Sequence, residues 1–361
     1  MHLKNKLINK SIIILLLFLN YLLYQSNIII SIQERKSKNR IGIIGQRSST
    51  NIGNNLLKYS IYILLKSFGF KPVIIALKTK KNIYFVRKYI DIKEITNFNE
   101  LKEYNYDILM VNSDQTWNYK RKYFLEIGFL SFSKNWNIPK FVYGASLGNN
   151  IWQPSNKTIK SAKYLIKKFS DISVREYCSI DLIHKKLGRK PKIVLDPTFL
   201  LDKNVYLDLL SNFKMNLDLN ENYFCTYILD KNKTIIDFAR KASQYLNYKI
   251  LYISRYVDEY VEKFIYSINI CKSVLTDSYH GTVFSIIFDK PFITFINANR
   301  GIDRFFTLNK IFNLNERIIF PREFKKSDIG ILKNNPIINK NKFLVLRNQS
   351  INYLKKNLGI I

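Results

Sequence analysis

Residues 274–295, VLTDSYHGTVFSIIFDKPFITF, read as strand, polar loop, helix and second strand. A short apolar approach through Ser273, Val274 and Leu275 ends in Thr276, Asp277 and Ser278. Tyr279, His280, Gly281 and Thr282 follow at once, then an apolar helical run and a strand that begins at Pro291. In an open α/β sheet such a loop lies at the carboxyl end of a strand, where ligands collect. It also lies at a helix N-terminus, whose free N–H groups and dipole favour an anion. Gly281 permits close backbone approach, and histidine is the side chain that changes charge near neutral pH. Taken singly, Asp277 or Ser278 need do no more than cap the helix, with His280 a satisfied surface residue. The coincidence of position, glycine and hydroxyls favours a site.

Outward from this stretch the same alternation continues. Residues 223–229 read as a strand, 235–246 as a helix, 250–253 as a strand and 257–268 as a helix. Downstream, a mixed loop with Asn297, Asn299, Arg300, Gly301, Asp303 and Arg304 leads to a helix near 305–314, and an amphipathic helix spans 344–358. This is the pattern of a parallel sheet covered by helices. Composition turns polar between Asp202 and Asn222, and a second α/β unit precedes that boundary.

In the first unit IGIIG from Ile41 is a buried strand, and residues 46–55 form a polar loop holding Gly53. LLKYSIYILLKSF is then a helix that stops at Gly69, before strand PVIIAL. G-x-G-x-x-G is absent, so no dinucleotide fingerprint is present. A strand at 107–111 runs into Asn112, Ser113, Asp114, Gln115, Thr116 and Trp117. These residues suit an Asx turn with a packed Trp, or a set of carboxylate and amide groups for sugar hydroxyls. FVYGASL is a further strand, and the strand at 172–174 closes on Arg175, which can grip a carboxylate or phosphate or else pair with Glu176. The strand at 193–195 ends in Asp196 and Pro197, and His184 falls on a Lys-rich helix face as a surface residue.

The expected organisation is a basic-flanked apolar segment at 1–40, α/β domains at 41–205 and 221–335, and a C-terminal helix at 336–361. Two such domains imply a cleft suited to a reaction between two substrates. Asn112, Ser113, Asp114, Gln115 and Arg175 face it from one side, and the loop from Ser278 to Thr282 from the other.

The chain's 361 residues fit two domains at roughly 150 residues each. With 47% hydrophobic and 24% charged residues the composition is globular, not disordered. A formal net charge of +31 suits anionic partners, whether a phosphorylated substrate, an acidic polymer or a membrane surface. The excess is mostly Lys in a chain crowded with Ile and Asn, however, a usage bias that raises charge without any binding role. The aromatics fall at helical or strand spacing and no nucleic-acid motif occurs, so nucleic acid is not an expected partner. Cys178, Cys225 and Cys271 lie far apart without paired spacing, which argues for a reducing compartment and against structural zinc.

Residues 11–32 form an uncharged, Ile- and Leu-rich run between Lys4, Lys6, Lys10 and the cluster Glu34, Arg35, Lys36, Lys38, Arg40. Such a run suits a spanning anchor, an interfacial helix or an apolar helix docked on the protein. Basic flanks favour membrane attachment, with the body on the cytoplasmic side.

Five stretches together, NIGNNLLKYSIYILL, SDQTWN, ISVRE, VLDPT and above all LTDSYHGTVFSIIFDKPFI, resemble the polysaccharide pyruvyl transferase family. The resemblance runs in the family's order from about Ile41 to the C-terminal helix; Asn112 stands where the family commonly has Gly. It implies two Rossmann-like domains facing a cleft, similar to GT-B glycosyltransferases. It also implies transfer of pyruvate from phosphoenolpyruvate to a sugar of a cell-surface polysaccharide, forming a ketal.

By the same resemblance His280 is the general acid or base and Arg175 binds the donor's anionic groups. Ser278, Gly281 and Thr282 help to seat phosphate, and Arg300 or Arg304 is a second cation or a structural ion pair. Asn54, Ser113, Asp114 and Gln115 are candidates for the N-domain wall and the acceptor. No metal and no cofactor are expected, phosphoenolpyruvate being a co-substrate. The expected partners are a sugar or lipid-linked glycan and a membrane surface. A GT-B glycosyltransferase using a nucleotide sugar, or a noncatalytic glycan-binding protein of the same fold, is the alternative.

Overall fold

The computed structural model describes residues 39–45, 51–79, 83–148, 150–230, 232–254, 260–297, 301–323 and 326–361. The apolar run at 11–32, most of the polar loop after Ile44, and Arg300 lie outside these residues. Among the described residues no helix is long and apolar enough to cross a membrane.

The first domain is a seven-stranded sheet of β1 (Arg40–Ile44), β2 (Lys71–Leu77), β3 (Ile92–Ile95), β4 (Ile108–Val111), β5 (Lys140–Ala145), β6 (Asp171–Val174) and β7 (Lys192–Ile193). Its order is β3-β2-β1-β4-β5-β6-β7, and every pairing is parallel. The helices interleaved with these strands are α1 (Ile52–Ser67), α2 (Tyr84–Tyr89), α3 (Phe124–Phe129), α4 (Asn156–Ile166) and α5 (Cys178–Leu187), with α6 (Lys203–Leu207) after the last strand.

The second domain is a five-stranded parallel sheet of β8 (Tyr223–Tyr227), β9 (Lys249–Tyr252), β10 (Ser273–Thr276), β11 (Phe292–Phe295) and β12 (Ile318–Ile319), in the order β12-β11-β10-β8-β9. Its helices are α7 (Lys233–Leu246), α8 (Tyr260–Ile270), α9 (Tyr279–Ile287) and α10 (Asp303–Phe312). The final helix, α11 (Lys340–Asn357), returns to the first domain: Tyr353 Oη donates to the Val142 carbonyl at 2.7 Å, and Leu195 N–H to Ser350 Oγ at 2.9 Å.

The central strands are near-continuous apolar runs because helices cover both faces of each sheet. One core cluster joins Ile41, Ile43 and Leu56 of the first domain to Phe264, Val283 and Phe284 of the second. Tyr206 forms part of the seam, edge-on to Phe284 with ring centroids 4.9 Å apart and with its hydroxyl 2.8 Å from Ser60 Oγ. Two satellite cores, around Trp117 and Trp152 and around Phe238 and Phe295, fill the outer faces. The two domains thus share an interior that fixes the cleft walls against each other.

Strand order reverses between β1 and β4 in the first sheet and between β8 and β10 in the second. Crevices open outside the carboxyl ends at such reversals, so the loops after β4 and β10 meet the cleft. One sequence expectation is corrected here. Gly53, Asn54 and Asn55 belong not to a loop but to the first turn of α1, which begins at Ile52. Asn51 makes this possible: its side-chain oxygen accepts the Asn54 N–H at 2.9 Å and caps the helix early.

Candidate active site

The loop after β10 is built as its residues dictate. Thr276 Oγ1 donates to the Tyr227 carbonyl at 2.6 Å and accepts the Ser278 N–H at 3.0 Å. Ser278 is the N-cap of α9, its Oγ accepting the Gly281 N–H at 3.4 Å. Asp277 is committed elsewhere: its carboxylate accepts the backbone N–H groups of Leu229 at 2.6 Å and Asp230 at 3.0 Å, tying the loops after β8 and β10 together. A Cβ on Gly281 would collide with Thr276 Oγ1, so this turn closes only with glycine. Thr282 faces inward, donating to the Ser278 carbonyl at 3.1 Å with its hydroxyl 2.8 Å from Thr294 Oγ1. Its role is to hold the turn that presents His280.

His280 crosses the cleft. Its Nε2 stands 3.8 Å from Asp196 Oδ2 and makes no hydrogen bond, while its ring lies over Gly53 of α1. A Cβ on Gly53 would strike the imidazole Nδ1. Burial pushes the His280 pKa down to about 4, with Asp196 acting against the shift and Arg175 with it. At neutral pH the imidazole is therefore uncharged.

Opposite it lies Arg175, 3% exposed and held by three carboxylates. Its Nε donates to Glu176 Oε1 at 3.0 Å, one terminal nitrogen to Asp196 Oδ2 at 2.7 Å, and the other reaches Asp114 Oδ1 at 3.4 Å. Burial pulls this guanidinium's pKa down; Glu176 and Asp196, then Tyr279 and Asp114, outweigh burial and hold it above its ordinary value. Burial raises the Glu176 carboxyl, partly offset by Arg175. Burial would also raise Asp114, but Arg175, the Gln115 N–H, His280 and Arg304 keep it below the usual carboxylate range. Asp196 fixes its other oxygen on Thr198, accepting N–H at 3.1 Å and Oγ1–H at 2.7 Å.

Arg304, at the start of α10, stacks on the Tyr279 ring from 5.1 Å, and Arg175 stands 5.1 Å from the same centroid. Tyr279 thus contacts both cations. Among the described residues Arg304 forms no ion pair, and its Nε is buried without a hydrogen bond. Burial, then Arg175, pushes its pKa down to about 10. An anion entering here would relieve the repulsion between two guanidinium groups.

The candidates for the N-domain wall divide. Asn54 Nδ2 donates to Asp114 Oδ2 at 3.1 Å, and Asn54 Oδ1 accepts from Lys58 Nζ at 2.7 Å, so Asn54 and Asp114 join the Arg175 group. Ser113 instead is an internal brace, its Oγ donating to the Gly144 carbonyl at 2.8 Å. Gln115 Oε1 accepts from Asn118 Nδ2 at 3.2 Å and Arg121 at 3.0 Å, toward the rim. Asn112, which stands where the family commonly has Gly, is absorbed locally: its Oδ1 accepts the Ser113 N–H at 2.8 Å.

Sequence reasoning missed Lys58, Tyr279 and the role of Asp196. Lys58 is buried, and burial drives its pKa down to about 8 against the pull of Asp114. Its signal was the i, i+4 spacing from Asn54. The pairing of Arg175 with Glu176, expected as its alternative role, is present, but nothing in the spacing shows that Asp196 converges on the same guanidinium.

A model of the polysaccharide pyruvyl transferase family matches residues 51–299. No curated protein matches the sequence significantly. Among solved structures, the fold is similar to a putative UDP-N-acetylglucosamine 2-epimerase from Listeria monocytogenes (TM-score 0.53, 8% identity, 88% of this chain and 95% of that one). It is also similar to S. aureus MnaA in a structure with UDP (TM-score 0.51, 11% identity, 90% and 98%). A third similar structure is Arabidopsis thaliana UGT89C1 complexed with UDP-L-rhamnose (TM-score 0.52, 8% identity, 89% and 98%). At such identities the likeness is one of fold: two parallel-sheet α/β domains in the GT-B arrangement, as the sequence led us to expect.

Proposed function

Since this chain belongs to the polysaccharide pyruvyl transferase family, and is therefore a transferase, we propose that it moves the pyruvyl group of phosphoenolpyruvate onto two hydroxyls of one sugar in a cell-surface polysaccharide, forming a ketal. The observation that carries this reading is His280, an imidazole with an unpartnered Nε2 facing Asp196 beside Arg175 and Arg304. The donor has a carboxylate, a phosphate and a methylene carbon that must gain a proton, and this grouping offers a counterpart to each.

Arg175 and Arg304 bind the donor's negative charges, and the N-terminus of α9, shaped by the Ser278 cap and Gly281, favours its phosphate. An anion there offsets the two cations that lower the His280 pKa, so donor binding raises it toward protonation. Protonated His280 delivers its proton to the methylene carbon while a sugar oxygen bonds to the enol carbon; that hydroxyl's proton leaves to a basic group or solvent. The bond from carbon to phosphate oxygen then breaks. The second hydroxyl of the same sugar attacks the oxocarbenium carbon, loses its proton, and closes the ketal. Two hydroxyl protons are released, one proton enters the methyl group, and phosphate carries off the former ester oxygen. Asp196 orients the imidazole and stabilises its charged form. The chemistry requires no bound cofactor; phosphoenolpyruvate is consumed as co-substrate, and the acceptor is a sugar or lipid-linked glycan.

The test is phosphate release from phosphoenolpyruvate by purified protein, with cell-envelope glycan precursors added or omitted. Release that depends on the acceptor, and is lost in folded His280→Ala and Arg175→Lys proteins, is the expected result. Thermal stabilisation by a UDP-sugar and none by phosphoenolpyruvate would overturn the reading in favour of a nucleotide-sugar transferase.

The basic-flanked apolar run is proposed to attach the enzyme to the inner face of the membrane. Fractionation should find the full-length protein with membranes and a chain starting near Lys38 in the soluble fraction; a soluble full-length protein would contradict attachment.

A further inference from the structure

We propose that a small polar pocket next to Arg175, lined by Ser146, Gly148, Glu176, Ser179, Asp303 and Arg304, binds one hydroxyl or hydroxymethyl group of a neutral sugar acceptor. The proposal rests on the pyruvyl-transfer reading for its substrate class, and names where that acceptor enters.

The pocket is a built feature of the contact between domains. Ser146 and Gly148 follow β5, Glu176 and Ser179 lie at the junction of β6 and α5, and Asp303 and Arg304 open α10. Gly148 and Gly301, with φ of +87° and +89°, bring the loops together: a Cβ on Gly301 would collide with the Gly148 carbonyl. Left-handed backbone at both positions allows the approach.

Three polar atoms of the lining are buried without a hydrogen bond: Ser179 Oγ, Glu176 Oε2 and Arg304 Nε. Ser179 and Glu176 are 1% and 3% exposed; the Cys178 thiol interacts weakly with Ser179 and the Ser146 hydroxyl with the Glu176 carboxylate, and neither contact has full hydrogen-bond geometry to Ser179 Oγ or Glu176 Oε2. Buried polar groups in folded proteins nearly always have well-formed partners, so three underbonded groups around one pocket mark a place where a ligand group or water completes them.

Their chemistry selects the ligand. Glu176 accepts, Arg304 Nε donates and Ser179 can do either. An anion would meet the carboxylates of Glu176 and Asp303, and a cation would meet Arg304. A carbonyl has no proton for Glu176. A hydroxyl satisfies acceptor and donor at once, and the pocket's small size admits one such group and not a whole sugar ring. The other Glu176 oxygen is bonded to Arg175, so the acceptor's hydroxyl would be held next to the cation that binds the donor.

The test uses methyl glycosides of galactose, glucose and mannose as probes, in the presence of phosphoenolpyruvate. Saturation-transfer NMR reads their binding, and the melting temperature reads folding and donor binding. Wild type should bind at least one glycoside. Ser179→Ala and Glu176→Gln should weaken that binding about tenfold, the scale of one lost buried hydrogen bond, and in Ser179→Ala stabilisation by phosphoenolpyruvate is unchanged. Ser179→Ala removes a single hydroxyl that makes no bond to the Arg175 group, so it keeps the test valid should Glu176→Gln fail to fold. Glycoside binding that is absent in wild type, or unaffected in Ser179→Ala, overturns the proposal. So does loss of stabilisation by phosphoenolpyruvate with glycoside binding intact, which would assign the pocket to the donor. If phosphoenolpyruvate fails to stabilise wild type while the glycoside effect holds, the donor reading falls and the pocket stands.

Discussion

The two walls of the cleft are built on opposite principles. On the first-domain wall the charges are paired: Arg175 meets Glu176, Asp196 and Asp114, and Asn54 links Asp114 to Lys58. On the second-domain wall Tyr279, His280 and Arg304 are packed but underbonded, with His280 Nε2 and Arg304 Nε both lacking a hydrogen bond. A satisfied buried ion group holds geometry, whereas an unsatisfied one waits for a partner. The ion pairs of the first wall hold geometry, whereas His280 and Arg304 of the second, like Glu176 Oε2 and Ser179 Oγ at the first wall's edge, are groups that a ligand completes.

The largest effect should follow from breaking the paired wall. Arg175→Ala leaves three carboxylates without their shared cation, and should cost about 3–5 kcal/mol in chemical denaturation together with all phosphate release. A loss under about 1 kcal/mol would show that the carboxylates find other partners and that the wall is not one unit. On the underbonded wall the balance reverses. His280→Ala should cut turnover by about a hundredfold to ten-thousandfold, with a melting temperature equal to or above wild type. A marked loss of stability there would make His280 structural.

Gly53→Ala tests the contact between the walls. Its new methyl displaces the imidazole, and turnover should fall about a hundredfold with binding of phosphoenolpyruvate retained.

The pH dependence of stability follows from the same imidazole. His280 titrates near 4 in the folded protein, below its ordinary 6.5, so between these values the unfolded chain binds the proton and the folded one does not. Stability from this group is complete above about pH 6.5 and declines on acidification to about pH 4, by on the order of 3 kcal/mol. Denaturation midpoints across that range should show the slope, and His280→Gln should flatten it. Smallest is Thr282→Val, which removes a hydroxyl committed inside α9: about 1 kcal/mol of stability and no change in stabilisation by phosphoenolpyruvate. Loss of that stabilisation would return Thr282 to the donor site.

Much of this architecture was legible in the sequence. The alternation of apolar strands with amphipathic helices carried two parallel sheets, because strands buried on both faces leave an unbroken apolar run. The loop after β10 was legible because Ser278, His280 and Gly281 stand together at a helix start. What sequence could not show was convergence. Asp196 and Arg175 are 21 residues apart, and only the adjacency of β6 and β7 brings them to 2.7 Å. Asn54 and Ser113 read alike as polar cleft residues, yet one bridges Asp114 and Lys58 while the other braces Gly144. That depends on where each Cβ points, which periodicity in a loop does not encode. Nothing in the helix pattern shows that Lys58 is buried.

His280 is expected to be neutral in the free protein and to gain a proton when the donor's charges meet Arg175 and Arg304. Titration of the His280 ring nitrogens by NMR, with and without phosphoenolpyruvate, tests it most directly. The expected result is a midpoint near 4 in the free protein that moves upward toward neutrality with phosphoenolpyruvate bound. A midpoint that does not move on addition of phosphoenolpyruvate, or a ring already protonated at neutral pH without it, would contradict the account.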